Sequence, residues 1–553
     1  MATNAEAAAL LREIADLLDL RGERFKPEAY RRAARSVETL TEPLAAVAAR
    51  NGLREVPGIG EAIDEKLREL LAQGTIPYLE RLRGEVPPGL IELMRLPGVG
   101  PKTARRFWTE LGVTDRDGLA RAIDAGRLEG VKGFAARKIA QTRTAVTAAA
   151  APAPPARRPI DSVFAEAHAI REALRSRAPT EQVEIAGSFR RCRETVGDLD
   201  ILVTSQDPER VFDVFSALPE IAEVRMRGPT KETVVLRGGL QVDLRVVEPA
   251  AFGAALQYFT GSKDHNVKLR SLARDLELKV NEYGVFRGEE REAGRTEEEV
   301  YGRLGLPWIP PELREDRGEI DAAREGRLPR LVEAGDRIGD LHVHLPEDPS
   351  PAAFDRIVTT ATTLGLRYLG VVVAAPDQGD LRAAAVPAEL SDPRTSAGRT
   401  VRLFRVVEID RRTDVRSVAR FSPDYLVLRA DRDGRFPDPG TPLPRSIRLV
   451  AHAGGAGDGG AAVLAAARSA RAAIEVGPGP ERCDSSVARA AVEAGTSVAL
   501  PTGVGRADGP AIASIALGFA RRAGATRELV ANATEPTGEE RSDRPKRRRP
   551  TAR

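Results

Sequence analysis

Two cysteines, Cys192 and Cys483, are all that the 553 residues contain. They lie far apart, with no zinc-type spacing and no framework for disulfides, which excludes a stapled secreted scaffold and fits a reducing cytoplasm. Long apolar runs are missing too. No stretch approaches the roughly 18–20 residues needed to cross a bilayer, so no membrane contact is expected. Met1 to Leu20 alternates acids with Ala and Leu as an amphipathic helix does, and it lacks the basic start of an export signal. Nor does charge of one sign dominate: the formal charge is +3 at pH 7, and affinity for nucleic acid has to come from local patches. With 42% hydrophobic and 30% charged residues the composition is that of an ordinary soluble protein. The length predicts about three or four domains with separate cores.

What is present concentrates between Gly187 and Arg245. The run Gly187-Ser188-Phe189-Arg190-Arg191-Cys192-Arg193-Glu194-Thr195-Val196-Gly197-Asp198-Leu199-Asp200 is answered downstream by Gln241-Val242-Asp243-Leu244-Arg245. Side chains alternate along a strand, so Asp198 and Asp200 share one face while Leu199 and Ile201 are free to face a core. If Asp243 lies on a neighbouring strand, where Val242, Leu244 and Val246 alternate with it, a third carboxylate joins them. Three acids in one site repel unless cations sit among them. Hard divalent ions such as Mg²⁺ take carboxylate oxygens and keep positions for substrate phosphates, and two ions roughly 3.5–4 Å apart can hold both attacking and leaving oxygens. A lone Asp-x-Asp reads as readily as an acidic strand end before a turn. Here the Gly187-Ser188 turn and Arg191 add anion-binding groups to the same stretch.

This region resembles the catalytic palm of the family X DNA polymerases, the group that includes DNA polymerase beta and the bacterial PolX enzymes. The resemblance implies that Asp198 and Asp200 ligate both of two Mg²⁺ ions, with Mn²⁺ able to substitute. Asp243 would ligate the catalytic ion and help take the proton from a primer 3′-hydroxyl. Gly187, Ser188, Arg191 and Gly197 would shape the cradle for the dNTP, with Ser188 and Arg191 on its outgoing pyrophosphate portion. Leu256-Gln257-Tyr258-Phe259-Thr260-Gly261-Ser262 looks like the family's sugar-facing segment. By that likeness Tyr258, Phe259 and Gly261 line the dNTP, and the two aromatics crowd the 2′ position and favour deoxyribose. On local sequence alone, Tyr258-Phe259 also reads as an aromatic core pair. Asn266 matches the residue that touches the nucleotide base in the minor groove, and Arg270 the one that closes over the nascent pair. Gln241 departs from the Arg that beta-type enzymes carry beside the third Asp, and Lys263 departs from an Asp.

Residues 1–147 read as helical, divided into a lyase-like DNA-binding domain, 1–90, and a second DNA-binding region, 91–147. Val56-Pro57-Gly58-Ile59-Gly60 and Leu96-Pro97-Gly98-Val99-Gly100-Pro101-Lys102 are helix-hairpin-helix signatures. Gly58, Gly60, Gly98 and Gly100 let the backbone turn tightly, so that hairpin N–H groups and the next helix N-terminus, with Lys102 beside it, can meet a DNA phosphate without reading bases. A weaker third copy lies at Leu128 to Phe134. The start, Phe25-Lys26-Pro27-Glu28-Ala29-Tyr30, resembles the phosphate-binding helix of the family's small lyase domain, which implies that Lys26 and Tyr30 meet a 5′-phosphate. Lys66 stands where the lyase nucleophile sits in beta-type members. A Schiff base needs a neutral amine, whereas Glu61, Asp64 and Glu65 favour the charged form of a surface lysine, and Ala62 replaces one basic position of the pattern.

An Ala/Pro tract, 148–159, reads as a linker. The palm follows at 160–248 and a nucleotide-closing subdomain at 249–318, ending in a Trp308-containing stretch similar to the junction that bacterial PolX enzymes place before a third module. In that module, 336–534, Asp340-Leu341-His342-Val343-His344 looks like the opening of a PHP domain, a distorted β/α barrel that in relatives binds metals and removes 3′ ends. Other ligand positions are replaced by Pro349, Val373, Ala374, Asp431 and Gly503. Only His342, His344, Glu408 and His452 remain, too few to fix a multi-ion centre, so the barrel is expected to persist as a scaffold without exonuclease chemistry. Residues 535–553 read as a disordered basic tail.

The expected protein is multidomain α+β, with helical DNA-binding modules, a mixed-sheet palm and a degenerate PHP-like barrel. Its expected work is cytoplasmic: adding dNTPs to gapped or primer-template DNA. A nucleotidyltransferase acting on other acceptors and a DNA-end scaffold are the rivals.

Overall fold

The computed structural model describes residues 4–23, 25–38, 40, 44–94, 96, 99–131, 136–147, 157–345, 350–377, 380–383, 394–396, 399–430, 435–436, 447–451, 459–479 and 482–536. Gly98, the third hairpin copy from Lys132 on, most of the Ala/Pro tract, Pro349, Asp431, His452 and the tail from residue 537 lie outside the described residues. The chain divides into two compact units, Met1–Pro154 and Pro155–Arg553. Among the described residues, no helix is long and apolar enough to cross a membrane.

The first unit is helical. Its helices include Asn4–Arg21, Lys26–Glu38, Glu61–Gln73, Pro77–Glu85, Pro101–Leu111 and Arg116–Asp124. Apolar residues recur at helical spacing, so Leu11, Ile14 and Leu18 share one face of the first helix and are buried in one core with Leu67 and Phe107. Asp115 starts its helix by accepting a hydrogen bond from Gly118 N at 2.7 Å.

The second unit opens with a five-stranded mixed sheet: β1 (Gln182–Ile185), β2 (Asp198–Thr204), β3 (Ile221–Arg227), β4 (Lys231–Leu236) and β5 (Gln241–Val247), in spatial order β1-β2-β5-β4-β3. β2 and β5 are parallel neighbours, while the other pairs are antiparallel. Leu199, Ile201 and Val203 point to one face, into a core with the helices Ile160–Arg177 and Pro208–Ser216. Leu202 points to the other, against the helix Phe252–Thr260. Before β2, the single helical turn α1 (Gly187–Arg190) is followed by Thr195–Val196, which pairs with Arg158–Pro159. Arg158 and Pro159 therefore belong to a strand pair and not, as the Ala/Pro reading has it, to the linker. Beyond the sheet come α2 (Phe252–Thr260), α3 (Lys263–Asp275) and a small three-stranded antiparallel sheet over Lys279–Ala293.

Seven parallel strands then form a nearly closed barrel: β6 (Gly339–Val343), β7 (Tyr368–Asp377), β8 (Arg399–Ile409), β9 (Tyr425–Arg429), β10 (Ile447–Ala451), β11 (Ala473–Glu475) and β12 (Val498–Ala499). Leu341, Tyr368, Phe404, Tyr425 and Leu449 fill its interior. Asn532, 1% exposed, bridges the first and last strands by donating to Gly339 O and Leu500 O at 2.8 Å and accepting from Leu500 N at 3.0 Å. The last helix, α4 (Gly509–Arg522), packs against both the barrel and the palm helix Ile160–Arg177.

Candidate active site

Register places the carboxylates. Asp200 on β2 is paired with Asp243 on the parallel β5, and Asp198 with Gln241, so all three acids lie on one face of two adjacent strands. Asp198 is exposed, Asp200 half-buried and Asp243 7% exposed. Burial first, and then the charges of Asp198 and Asp243, push the Asp200 carboxyl up to about 7. Asp243 accepts three hydrogen bonds: Lys231 Nζ donates to Oδ2 at 2.6 Å, Thr233 Oγ1 to Oδ1 at 2.7 Å and Gln241 Nε2 to Oδ1 at 3.3 Å. Lys231 and Thr233 are not singled out by the sequence. Only the antiparallel pairing of β4 with β5, which sets Thr233 opposite Asp243 and Lys231 opposite Arg245, reveals them. Three hard-oxygen donors, one held half-protonated near neutrality and one neutralised by a lysine, form a set that fits divalent cations.

The turn before β2 is shaped around these acids. Gly187 sits at φ +64°, and a Cβ there would lie 2.8 Å from Asp200 Oδ2, so glycine is required. The neighbouring Ser188 Oγ is buried without a hydrogen-bond partner among the described residues. A buried hydroxyl in that state costs free energy that an oxygen-rich ligand recovers. Arg191, 12% exposed at its side chain, donates from Nε to Glu315 Oε1 at 3.0 Å and from Nη1 to Thr260 O, and so is already partnered. Arg190 forms a two-pronged pair with Glu297 at 2.7 and 2.9 Å. Gly197 borders Arg157: a Cβ would lie 3.1 Å from that guanidinium.

At the C-terminus of α2, Tyr258 and Phe259 are half-buried with their rings edge to face at 5.2 Å, and the Arg245 guanidinium stacks over Phe259 at 4.3 Å. Asn266 is 8% exposed; its Nδ2 donates to Tyr258 O at 2.7 Å and its Oδ1 accepts from Gln257 at 2.7 Å. Those bonds fix the main chain at Tyr258. Gly261 ends the helix at φ +73°. Arg270 is exposed on α3, its Nε 3.3 Å from Asn266 O, and Lys263 is exposed at the start of that helix.

The two hairpins are alike in detail. Ile59 N donates to Val56 O at 3.1 Å and Val99 N to Leu96 O at 3.0 Å, while Gly60 O and Gly100 O each accept from the first turn of the following helix. Gly58, at φ +87°, needs to be glycine. Gly60 and Gly100, at φ −89° and −87°, do not, and a Cβ on either would meet nothing within 4 Å. The chain's own packing gives no reason for glycine there. Lys102 is exposed beside Gly100. In the same unit, Lys66 Nζ donates to Ala62 O at 2.9 Å and lies 4.9 Å from the centroid of Tyr78, on whose ring Tyr30 stacks at 6.4 Å. Tyr30 is 6% exposed, and burial, with Tyr78 second, pushes its phenol up. Lys26 is exposed, 3.6 Å from Glu23. Tyr78, which the sequence did not flag, joins Lys66 and Tyr30 through tertiary packing alone.

At the mouth of the barrel, donor atoms of His342, His344 and Glu408 lie within 4.8 Å of one another, the one such group among the described residues. The sequence reading of the barrel set needs a correction: Glu475 belongs to it. His342 lies between Glu408 Oε1 at 2.6 Å and Glu475 Oε2 at 2.7 Å, and those carboxylates are held by Arg429 at 2.8 Å and Arg482 at 2.9 Å. Burial opposes a charge on His342, but Glu475 and Glu408 outweigh it and lift its pKa to about 10. Val373 and Ala374 are buried in the strand, and Gly503 packs so tightly that a Cβ would lie 2.4 Å from Gly509 Cα.

Comparison with known proteins finds likenesses to four family models. The helix-hairpin-helix domain model matches residues 2–76 and the SAM-like helix-hairpin-helix tandem residues 90–142. The DNA polymerase beta palm matches 157–234 and the DNA polymerase beta thumb 255–315. The DNA polymerase/3′-5′ exonuclease PolX of Bacillus subtilis (strain 168) is 33% identical over 367 residues, 66% of this chain and 63% of that protein. DNA polymerase lambda of Rattus norvegicus is 26% identical over 341 residues, 55% of each chain. DNA-directed DNA/RNA polymerase mu of Homo sapiens is 25% identical over 360 residues, 56% of this chain and 69% of its own. The chain thus spans 63% and 55% of the first two relatives. With beta-type palm, thumb and hairpin modules in one sequence, and the three carboxylates in register on the palm, the chain belongs to the family X DNA polymerases.

Proposed function

We propose that this chain is a template-directed DNA polymerase that adds dNTPs to a primer 3′-hydroxyl and fills short gaps in cytoplasmic DNA repair. The observation that carries this reading is the pairing of Asp200 with Asp243 beside Asp198, next to a turn whose Ser188 hydroxyl is buried without a partner. In this reading 160–248 is the palm and 249–318 closes over the nucleotide, with 1–90 and 91–147 on the DNA. Asp198, Asp200 and Asp243 would hold two divalent cations, Mg²⁺ or Mn²⁺, which when bound supply positive charge to the attacking and leaving oxygens. Asp243 takes part in accepting the 3′-hydroxyl proton as that oxygen bonds to the α-phosphorus and pyrophosphate departs. Lys231, Thr233 and Gln241 orient its carboxylate. Ser188 and Arg191 receive the outgoing phosphates, and Arg191 has to leave Glu315 to do so. A direct test offers the protein gapped DNA with dNTPs beside RNA and small acceptors with NTPs. Incorporation confined to the latter would replace this reading with the other-acceptor one.

Tyr258 and Phe259 crowd the sugar's 2′ position, and the Asn266 bond to Tyr258 O holds that main chain in place. Wild type is expected to prefer dNTPs to rNTPs, and Tyr258→Ala to change that ratio by about 10-fold or more, a difference typical of a site that excludes a hydroxyl by shape. An unchanged ratio makes the pair a core feature only.

Gly60 and Gly100 leave open space where a phosphate can approach hairpin N–H groups, with Lys102 alongside. Affinity for gapped DNA is therefore expected to fall linearly in log–log terms with salt and to vary little with sequence, as measured by fluorescence anisotropy. A strong sequence preference at fixed salt contradicts this. Lys66, beside Tyr78 and Tyr30, is the lyase candidate, and borohydride trapping lost in Lys66→Ala identifies it.

The barrel is proposed to lack exonuclease chemistry, although the Bacillus relative is named for one. His342, Arg429 and Arg482 already neutralise Glu408 and Glu475, so cationic side chains stand where metal charge would be needed. Wild type is expected to leave a 3′-labelled single strand intact even with Mn²⁺. Degradation that disappears in His342→Ala, and persists in a palm variant, overturns this.

A further inference from the structure

The barrel's last helix is built into the palm. A Cβ on Gly518 of α4 would lie 2.3 Å from Cys192 Sγ, so the helix backbone meets the segment just after the phosphate turn with no side chain between. Four residues on, Arg522 is 2% exposed. Its Nη1 donates to Arg191 O at 3.0 Å and to Glu315 Oε1 at 2.8 Å, and its Nε donates to Ser485 Oγ at 3.2 Å. Ser485 Oγ in turn bonds Glu194. Glu315, with its side chain 8% exposed, thus faces three guanidinia: Arg522, Arg191 Nε at 3.0 Å and Arg193 Nη1 at 3.3 Å.

We propose that Arg522 is a positioning residue for nucleotide binding: the barrel supplies it to share Glu315 and anchor the main chain at Arg191, so that the Arg191 guanidinium can be transferred to a triphosphate. This rests on the reading that Arg191 meets the dNTP. Even with Glu194 4.0 Å from Arg522 and from Arg193, two carboxylates meet three cations, so each cation holds Glu315 less firmly than it would alone. Remove Arg522, and Glu315, nearly excluded from water, draws more strongly on Arg191, because a buried carboxylate that loses a partner leans on those remaining. Nucleotide binding then has to break a stronger pair. The barrel, whatever its own chemistry, becomes part of the polymerase site.

The test is steady-state incorporation of a matched dNTP on one-nucleotide-gapped DNA by the full chain. Arg522→Met is expected to raise KM for the dNTP about 10-fold with kcat within about two-fold, a coupling of ordinary size between adjacent sites. Glu315→Gln added to Arg522→Met removes the competing charge and is expected to bring KM back to within about three-fold of wild type. A purely structural role predicts the opposite, a double variant no better than the single. Unchanged KM in Arg522→Met, or a double variant no better than the single, overturns the proposal. If Arg522→Met does not fold, Arg522→Lys, which keeps the charge but not the two-atom reach, carries the same expectation at about three-fold, and an unchanged KM there overturns it equally. Arg191→Ala in the same assay separates the two claims. If it leaves KM unchanged, the triphosphate role of Arg191 itself falls; if it raises KM while Arg522→Met does not, only the role of Arg522 falls.

Discussion

Alanine at Asp198 or Asp243 is expected to lower single-turnover incorporation by about 10³-fold or more while leaving affinity for gapped DNA within about two-fold. Each substitution removes an oxygen donor from the face where charge develops in the transition state, whereas the hairpin glycines and Lys102 lie in the other compact unit. Asp243→Ala also strips Lys231 and Thr233 of their shared acceptor. A conservative Asp243→Asn would keep the Thr233 bond and lose the charge, and it is expected to be nearly as inactive, because charge and not shape is what the site needs. Rapid-quench measurement on labelled primer, with anisotropy for DNA binding, checks both halves. Appreciable incorporation by both alanine variants removes the metal assignment.

The largest expected effect on stability lies beneath the phosphate turn. Glu297, 4% exposed, accepts from Arg314 at 2.6 and 3.0 Å, from Arg190 at 2.7 and 2.9 Å and from Trp308 Nε1 at 2.9 Å. Arg314 is 0% exposed. Glu297→Gln leaves Arg314 charged and uncompensated in the interior, and a loss on the order of 3–5 kcal/mol is expected. The pH dependence has a definite sign. Burial pushes Glu297 up, Arg314 and Arg190 overcompensate, and its pKa settles at about 2 from an ordinary 4.5. A depressed carboxyl contributes stability that is fully present above pH 4.5, on the order of 3 kcal/mol, and is lost as pH falls from there towards 2. Urea unfolding at pH 7 and at pH 3.5 is expected to show a smaller acid loss in Glu297→Gln than in wild type. Equal acid sensitivity contradicts the assignment.

Much of the palm was legible because a strand's period is short. Asp198 and Asp200 two apart, with Leu199 and Ile201 between, define a face without any knowledge of neighbours. That Asp243 joins them depends on β2 and β5 being adjacent, which the alternation around Asp243 suggested and the register supplies. The hairpins were legible for a similar reason: the motif is local, and the described backbone repeats its hydrogen bonds in both copies. What sequence could not give is pairing across distance. Lys231 reaches Asp243 through a hairpin whose register no local pattern fixes. Glu475 meets His342 from 133 residues away, and Glu315 meets Arg191 from 124, so the charge balance at both sites was invisible. The same ignorance left Arg191 a free phosphate ligand on paper, whereas in the fold it is held by Glu315 and Thr260.

The most direct measurement of the central claim is extension of a labelled primer bordering a one-nucleotide gap, with Mg²⁺ and each dNTP supplied singly, by wild type beside Asp198→Ala. The palm geometry predicts that wild type adds one nucleotide, the one complementary to the template base, and that Asp198→Ala adds none. No extension by wild type, or extension that ignores the template base, would contradict it.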